Sequence, residues 1–447
     1  MKMYKYDTKR SFDYNNEIRR YLPGGVHSNF IQNQMEIPLV ITSAKNSRVK
    51  DIDGNEYLDL HSHYGAMILG HGHEGYTESM RRAILNPCAV GFSETVYDVC
   101  ALLNKHVPSA EMVRFGLSGT EMISNSFRLA RAYTAKRKIV RFANHYHGSA
   151  DNTLGGTCHE TSSSANYYSA IFDTKGRAEG VLQNEMIILP WNNIEALEET
   201  ISKQYHEIAA IVMELITMNG DGTRADKEYL RQVRGLCFKY RILLIFDEMI
   251  TGVRLGLGGA QSMYGVTPDL TVYGKAISNG YMPVTVLMGK KNIMKLYESG
   301  EVVHGGTYNG YPLGMAAVLT TLNILENTDV YKTLSDIGNG LASIIIEEAE
   351  KAGLTITARG DGACPLLCVH LNPTDEYNYF GEIEYYANGL LKTCLALNGV
   401  FIAPVCRIFP NLSISVEDME FFRERSRNAV RDMMVILLRR KLIKLNR

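Results

Sequence analysis

Five consecutive apolar residues, Ile242 to Phe246, run directly into two acids, Asp247 and Glu248. An uninterrupted run of this kind reads as a strand covered on both faces, as in a parallel sheet under helices. No other feature limits the fold so tightly, because parallel strands need long crossover connections. The chain supplies them. Short apolar runs at 112–117, 138–142, 186–189, 208–214, 270–273 and 283–289 alternate with helical stretches at 119–134, 193–204 and 226–240. The pattern predicts an α/β fold, with a mostly parallel central sheet flanked by helices.

Open α/β sheets bind their ligands beyond the carboxyl ends of the strands. Asp247 stands at such an end, where a carboxylate backed by apolar residues is costly unless it meets a positive partner. The run 270–273 ends in Gly274-Lys275. Two strand ends therefore present an acid and an amine. One ligand can use both: pyridoxal phosphate, whose aldehyde needs a lysine amine and whose ring nitrogen needs an acid.

The totals exclude several other classes. The 447 residues carry a formal net charge of -1, which gives no electrostatic footprint for nucleic acid or an acidic surface. No apolar run is long enough to cross a bilayer, and the polar start MKMYKYDTKR has no apolar signal core, so a cytoplasmic location is expected. The eight cysteines form no CxxC pair, and reduced thiols are expected. The segment 61–73 holds four histidines without the carboxylates or helical spacing of a zinc site, so no metal is expected.

Residues 1–60, with a polar helix over 1–20 and a hairpin at Asp53-Gly54, read as part of a minor domain. Residues 61–327 read as the large ligand-binding domain, including two helices either side of a loop at Gly91-Phe92-Ser93 and a long polar loop over 151–180. After a hinge at 327–330, residues 328–447 read as a small α+β domain. Its helices are expected at 331–353, 382–398 and 416–438, and its strands at 355–357 and 366–371.

Weaker signals sit at the strand ends of the large domain. Ser118-Gly119-Thr120-Glu121 opens a helix, and free amides with the helix dipole favour phosphate there, although any N-cap looks similar. His145-Tyr146-His147-Gly148 places an aromatic residue where it either stacks on a planar ring or fills a loop. Asn219-Gly220-Asp221-Gly222 is a turn, and 305–310 is glycine-rich.

Taken together, these stretches resemble the class III, fold type I, pyridoxal-phosphate aminotransferases, and within them the glutamate-1-semialdehyde 2,1-aminomutase branch. The matching stretches are PGGVHS at 23–28, MILGHGH at 67–73, VPSAEMVRFGLSGTE at 107–121, RLARAYT at 128–134 and YHG at 146–148. They continue with DEMITGVR at 247–254, GGAQSMYGVTPDL at 258–270, GK at 274–275 and GGTYNGYPLGMAA at 305–317. The resemblance implies that Lys275 is the Schiff-base lysine and that Asp247 pairs the pyridinium nitrogen. It implies that Ser118, Gly119 and Thr120 cradle the phosphate and that Tyr146 stacks on one ring face. Met249 falls where the family packs a valine on the other face, and Asn219 falls near the ring hydroxyl. It further implies a homodimer in which Thr307 contacts the phosphate of the other subunit.

The chain departs from the aminomutase pattern on the substrate side. Where that branch has a carboxylate-binding arginine after its entry segment, this chain has Ile31; Tyr64-Gly65 replaces a Trp-Gly, and Met122 replaces a small residue. An arginine–carboxylate pair contributes strongly in a dry site, so its loss argues against glutamate semialdehyde as substrate. The expected function is an aminotransferase that moves an amine from a donor, L-glutamate, to a carbonyl acceptor such as a sugar or another specialised intermediate. The alternative is an isomerase, an aminomutase or racemase, on the same scaffold. Tyr64 and Arg254 are the candidate substrate contacts.

Overall fold

The computed structural model describes residues 7–29, 39–85, 93–155, 174–326, 329–371, 382–440 and 442. Ile31, the loop at Gly91-Phe92, residues 327 and 328 of the expected hinge, residues 156–173 of the polar loop, Cys88 and Cys158 lie outside them. The chain forms two compact units: Met1–Glu74 with Asp329–Arg447, and Gly75–Thr328.

In the first unit, β1 (Ile41–Lys45), β2 (Arg48–Asp51) and β3 (Glu56–Leu60) form an antiparallel meander. The turn between β2 and β3 is the expected Asp53-Gly54, with Gly54 at φ 94°. The second unit is built on β4 (Met112–Gly116), β5 (Lys138–Phe142), β6 (Met186–Leu189), β7 (Ile208–Met213), β8 (Leu243–Glu248), β9 (Leu270–Tyr273) and β10 (Thr285–Gly289). The first unit resumes with β11 (Thr355–Asp361), β12 (Cys364–His370) and β13 (Val400–Ile402).

The seven strands of the second unit run in the order β4-β10-β9-β8-β7-β5-β6. From β9 to β6 every neighbouring pair is parallel, and β10 alone is antiparallel to its neighbours. The apolar run that ends in Asp247 and Glu248 forms β8, buried at every position. Its side chains alternate between two cores. Leu244 and Phe246 join Phe142, Trp191 and Leu230; Leu243 and Ile245 join Met122, Ile123 and Phe127 of the helix Gly119–Thr134. Both faces are covered, which is why the strand shows no polar alternation. The same alternation sends Asp247 and Glu248 to opposite faces at the strand end.

The first unit completes its meander with β13, which pairs in parallel with β3, Val400 opposite Leu58. β11 and β12 form a separate hairpin. Leu341 and Ile345 of Asp329–Lys351, Leu391 of Glu382–Leu397, and Phe422 and Met433 of Val416–Arg439 pack into one core. Residues 61–74, expected with the large domain, belong to this unit. Ser62 Oγ donates to the Phe409 carbonyl at 2.9 Å, and Gly65 lies so close to the Phe409 ring that an added Cβ would stand 2.7 Å from it.

Candidate active site

Four strand ends of the large sheet meet around one cavity of about 180 Å³, lined by residues of the second unit. β8 delivers Asp247. β9 delivers Lys275 through Gly274. β5 leads into Tyr146, His147 and Gly148, and β7 leads into Glu214 and the turn that carries Asn219. Gly119 and Thr120, at the start of the helix after β4, close one wall.

Asp247 is buried, 5% exposed. Its Oδ1 accepts the Met249 N–H at 3.1 Å, and its Oδ2 lies 2.8 Å from His147 Nδ1. An ionised carboxylate only accepts, so in that form the imidazole proton sits on Nδ1. His147 Nε2 is also buried and has no hydrogen-bond partner among the described residues. The imidazole thus orients a negative charge aimed into the cavity.

Lys275 is half-buried and sits at φ 47°, in the left-handed region that non-glycine residues seldom occupy. Such strain persists only where its surroundings impose it, and it collects at functional sites. An added Cβ at the preceding Gly274 would lie 2.6 Å from Met249 Sδ, so a larger residue there would displace the Met249 side chain. At Gly119 an added Cβ would stand 3.2 Å from Met249 Cε, so Met249 packs between two glycines.

The helix Gly119–Thr134 is capped by Ser118, whose Oγ accepts the Glu121 N–H at 3.2 Å. Its first amides have no acceptor within the helix and carry the positive end of the dipole. Thr120 Oγ1 accepts the Ser149 N–H at 3.0 Å, tying this helix start to the loop after β5. Gly148, at φ 100°, makes that approach possible, because a Cβ there would stand 2.7 Å from Thr120 Cα.

Glu214 and His145 link the loops after β7 and β5. Glu214 N–H donates to His145 Nδ1 at 3.0 Å, and Glu214 Oε1 accepts the Tyr146 N–H at 2.7 Å. Asn219 Nδ2 reaches both carboxyl oxygens at 3.2 Å. Burial, together with the charge of Asp247, pushes the Glu214 carboxyl up to about 8. Burial holds the His145 imidazole well below its ordinary range. Burial and Asp247 raise the Tyr146 phenol to about 12, so it stays protonated. On the opposite face of β8, Glu248 accepts from Ala260 N–H, Gln261 N–H and Thr251 Oγ1, and burial raises it to about 7.

Of the residues singled out in the sequence, Gly119, Thr120, Tyr146, Asn219, Asp247, Met249 and Lys275 converge on the cavity. Ser118 is the cap one step outside it. Thr307 is exposed and is not a lining residue of its own chain. Arg254 is fully buried and does not line the cavity, and Tyr64 belongs to the other unit. His147, Gly148 and Glu214 are lining residues to which sequence reasoning gave no role, although His147 and Gly148 flank the tyrosine and Glu214 ends a buried run. Among the described residues, no cluster of His, Cys, Asp and Glu could hold a metal, and no helix is long and apolar enough to cross a membrane.

The family model described as aminotransferase class-III matches residues 30–430. A glutamate-1-semialdehyde 2,1-aminomutase of Persephonella marina is 39% identical over 360 residues, covering 79% of this chain and 82% of its own. One of Methanobrevibacter smithii is 36% identical, covering 87% and 90%. The crystal structure of an omega-transaminase from Sphaerobacter thermophilus superposes with a TM-score of 0.85 at 28% identity, over 96% of this chain and 98% of that one.

Proposed function

Because this chain belongs to the class-III aminotransferase family, whose cofactor is pyridoxal phosphate, we propose that it is an aminomutase that shifts an amino group between neighbouring carbons of one substrate. The similarity to proteins named as aminomutases, over most of both chains, carries this choice. It reverses the order expected from sequence, where transfer to a separate acceptor came first. The transferase reading retains one specific support, Ile31 in place of the carboxylate-binding arginine.

The residues present fit the cofactor. A buried carboxylate in the cavity wall suits a protonated ring nitrogen, and the positive end of the helix Gly119–Thr134 suits a phosphate. Gly148 keeps the loop tight against Thr120, and Tyr146 and Met249 supply the flat walls. When bound, pyridoxal phosphate draws electrons from the carbon that bears the amine. Asp247, held by His147, keeps the ring nitrogen protonated and so strengthens that pull. Lys275 Nζ would hold the cofactor and, once displaced by substrate, would serve as the general base that carries a proton between the substrate carbons and the cofactor. Thr307 completes the phosphate contacts of a second subunit in a homodimer.

The two readings differ in stoichiometry. Purified enzyme incubated with 4-amino-5-oxopentanoate alone should yield 5-amino-4-oxopentanoate with no added amine donor. If it instead converts L-glutamate to 2-oxoglutarate and needs a carbonyl acceptor to turn over, the enzyme is a transferase and the aminomutase proposal fails.

A further inference from the structure

The carboxyl of Glu214 has no part in the chemistry described above, yet it lies in the cavity wall and is 5% exposed. It stands just past the end of β7, at the centre of three connections. Its backbone N–H fixes the His145 ring, its Oε1 takes the backbone N–H of Tyr146, and both oxygens meet the Asn219 amide. Tyr146 and Asn219 are on different loops, one after β5 and one after β7. The two loops also pack directly, since an added Cβ at Gly220 would stand 2.8 Å from Asn144 Cβ. The Glu214 carboxyl is the group that bonds to both Tyr146 and Asn219.

We propose that Glu214 is a positioning residue for the cofactor: in its neutral form it clamps the Tyr146 loop to the Asn219 turn and so sets the width and tilt of the slot that receives the ring. This rests on the cofactor assignment and not on the choice between amino shift and amino transfer.

The neutral form follows from the neighbours. Asp247 lines the same cavity, and a second negative charge beside it in a dry site would be opposed by both repulsion and burial. Burial first and Asp247 second raise Glu214 to about 8, against the opposing pull of the Tyr146 and Asn219 hydrogen bonds and of Lys275. A neutral carboxyl keeps one oxygen for the Tyr146 N–H and has one proton to donate. The Asn219 amide, turned over, offers its oxygen to that proton. A glutamine at this position can make the same two bonds, with its own N–H in place of the acid O–H. An alanine can make neither, and it leaves a backbone N–H without its partner.

The test compares cofactor binding in Glu214→Gln and Glu214→Ala, with Asn219→Ala and the double variant Glu214→Ala/Asn219→Ala alongside. The readouts are pyridoxal phosphate Kd, the circular dichroism of the bound cofactor's visible band, and Tm. Glu214→Gln should keep Kd within about 3-fold and retain the dichroism. Glu214→Ala should weaken Kd by roughly 10-fold or more and lose most of the dichroism, since the ring is no longer held at one tilt. The double variant should be little worse than Glu214→Ala, because both changes break one clamp. If Glu214→Ala lowers Tm but leaves Kd and dichroism at wild-type values, the residue is only structural and the proposal is overturned. If Glu214→Ala does not fold, Glu214→Gln decides alone: loss of affinity or dichroism there means that the ionised form is required, and the neutral clamp is wrong. Failure of the unmodified protein to bind pyridoxal phosphate would instead sink the cofactor assignment.

Discussion

Replacing Asp247 by asparagine removes one charge and almost no volume. The structure sets the expected size of the effect. The amide oxygen of the variant would still accept the Met249 N–H, as Asp247 Oδ1 does at 3.1 Å, so the backbone at the strand end should hold. What changes is the bond at 2.8 Å to His147 and the negative charge offered to the ring nitrogen. Hydrogen bonds to charged groups contribute about 1.5–3 kcal/mol, roughly twice a neutral one. Lost from the transition state alone, that range corresponds to a roughly 10- to 150-fold fall in kcat. The assay is turnover together with the rate of the cofactor absorbance change in a single half-reaction. Cofactor binding should survive, because Lys275 is unaltered, and Tm should move little. A variant that binds cofactor and turns over at the wild-type rate would refute the reasoning, since the strand-end acid would then have no electronic part.

Gly148→Ala should weaken cofactor binding and lower Tm, by about 1–3 kcal/mol for the strained φ of 100° alone, and the fit to Thr120 adds to it; equilibrium dialysis and calorimetry measure the two. The stability of the cofactor-free protein should fall as pH rises. Glu214 and Glu248 keep protons in the fold, up to about 8 and about 7, that the unfolded chain releases from about 4.5 upward, so the unfolded state gains as pH climbs through that window. Urea midpoints at pH 5 and pH 9 should differ, and Glu248→Gln should remove on the order of 3 kcal/mol of the difference, from the ~1.4 kcal/mol carried by each pKa unit. If Thr307 serves the site of the other subunit, mixing Lys275→Ala with Thr307→Ala subunits should restore activity. Each mixed dimer then has one site with both residues intact, whereas a threonine acting within its own chain gives no recovery.

The large sheet was legible because its strands are continuous apolar runs bounded by glycine and polar turns. β5, β6 and β9 begin and end at the residues the run lengths indicate. The small unit was harder to read. β13 is three residues long and exists only because it pairs with β3, more than three hundred positions earlier in the chain, which no local pattern encodes. β11 runs on to Asp361 because its partner β12 covers it through the Gly362 turn, although Arg359 and Gly360 are poor strand formers. Most of the residues that line the cavity could be found by motif, since they lie at or just past strand ends. The partnerships could not: His147 meets Asp247 and Glu214 meets Tyr146 across loops that are distant in sequence. The left-handed run from Ser62 to Tyr64 is likewise invisible in a segment where only Gly65 would announce it; Asp59 Oδ1 holds it by accepting the N–H groups of His61 and Ser62 at 2.9 Å.

One lysine, at the end of β9, is the proposed point of attachment on which every other role depends. Reducing the coloured holoenzyme with borohydride fixes the attachment, and peptide mass spectrometry locates it. The expected result is a single pyridoxyl-phosphate adduct on the peptide containing Lys275, absent in Lys275→Ala. An adduct on another lysine, or a protein that takes up no cofactor, would contradict it.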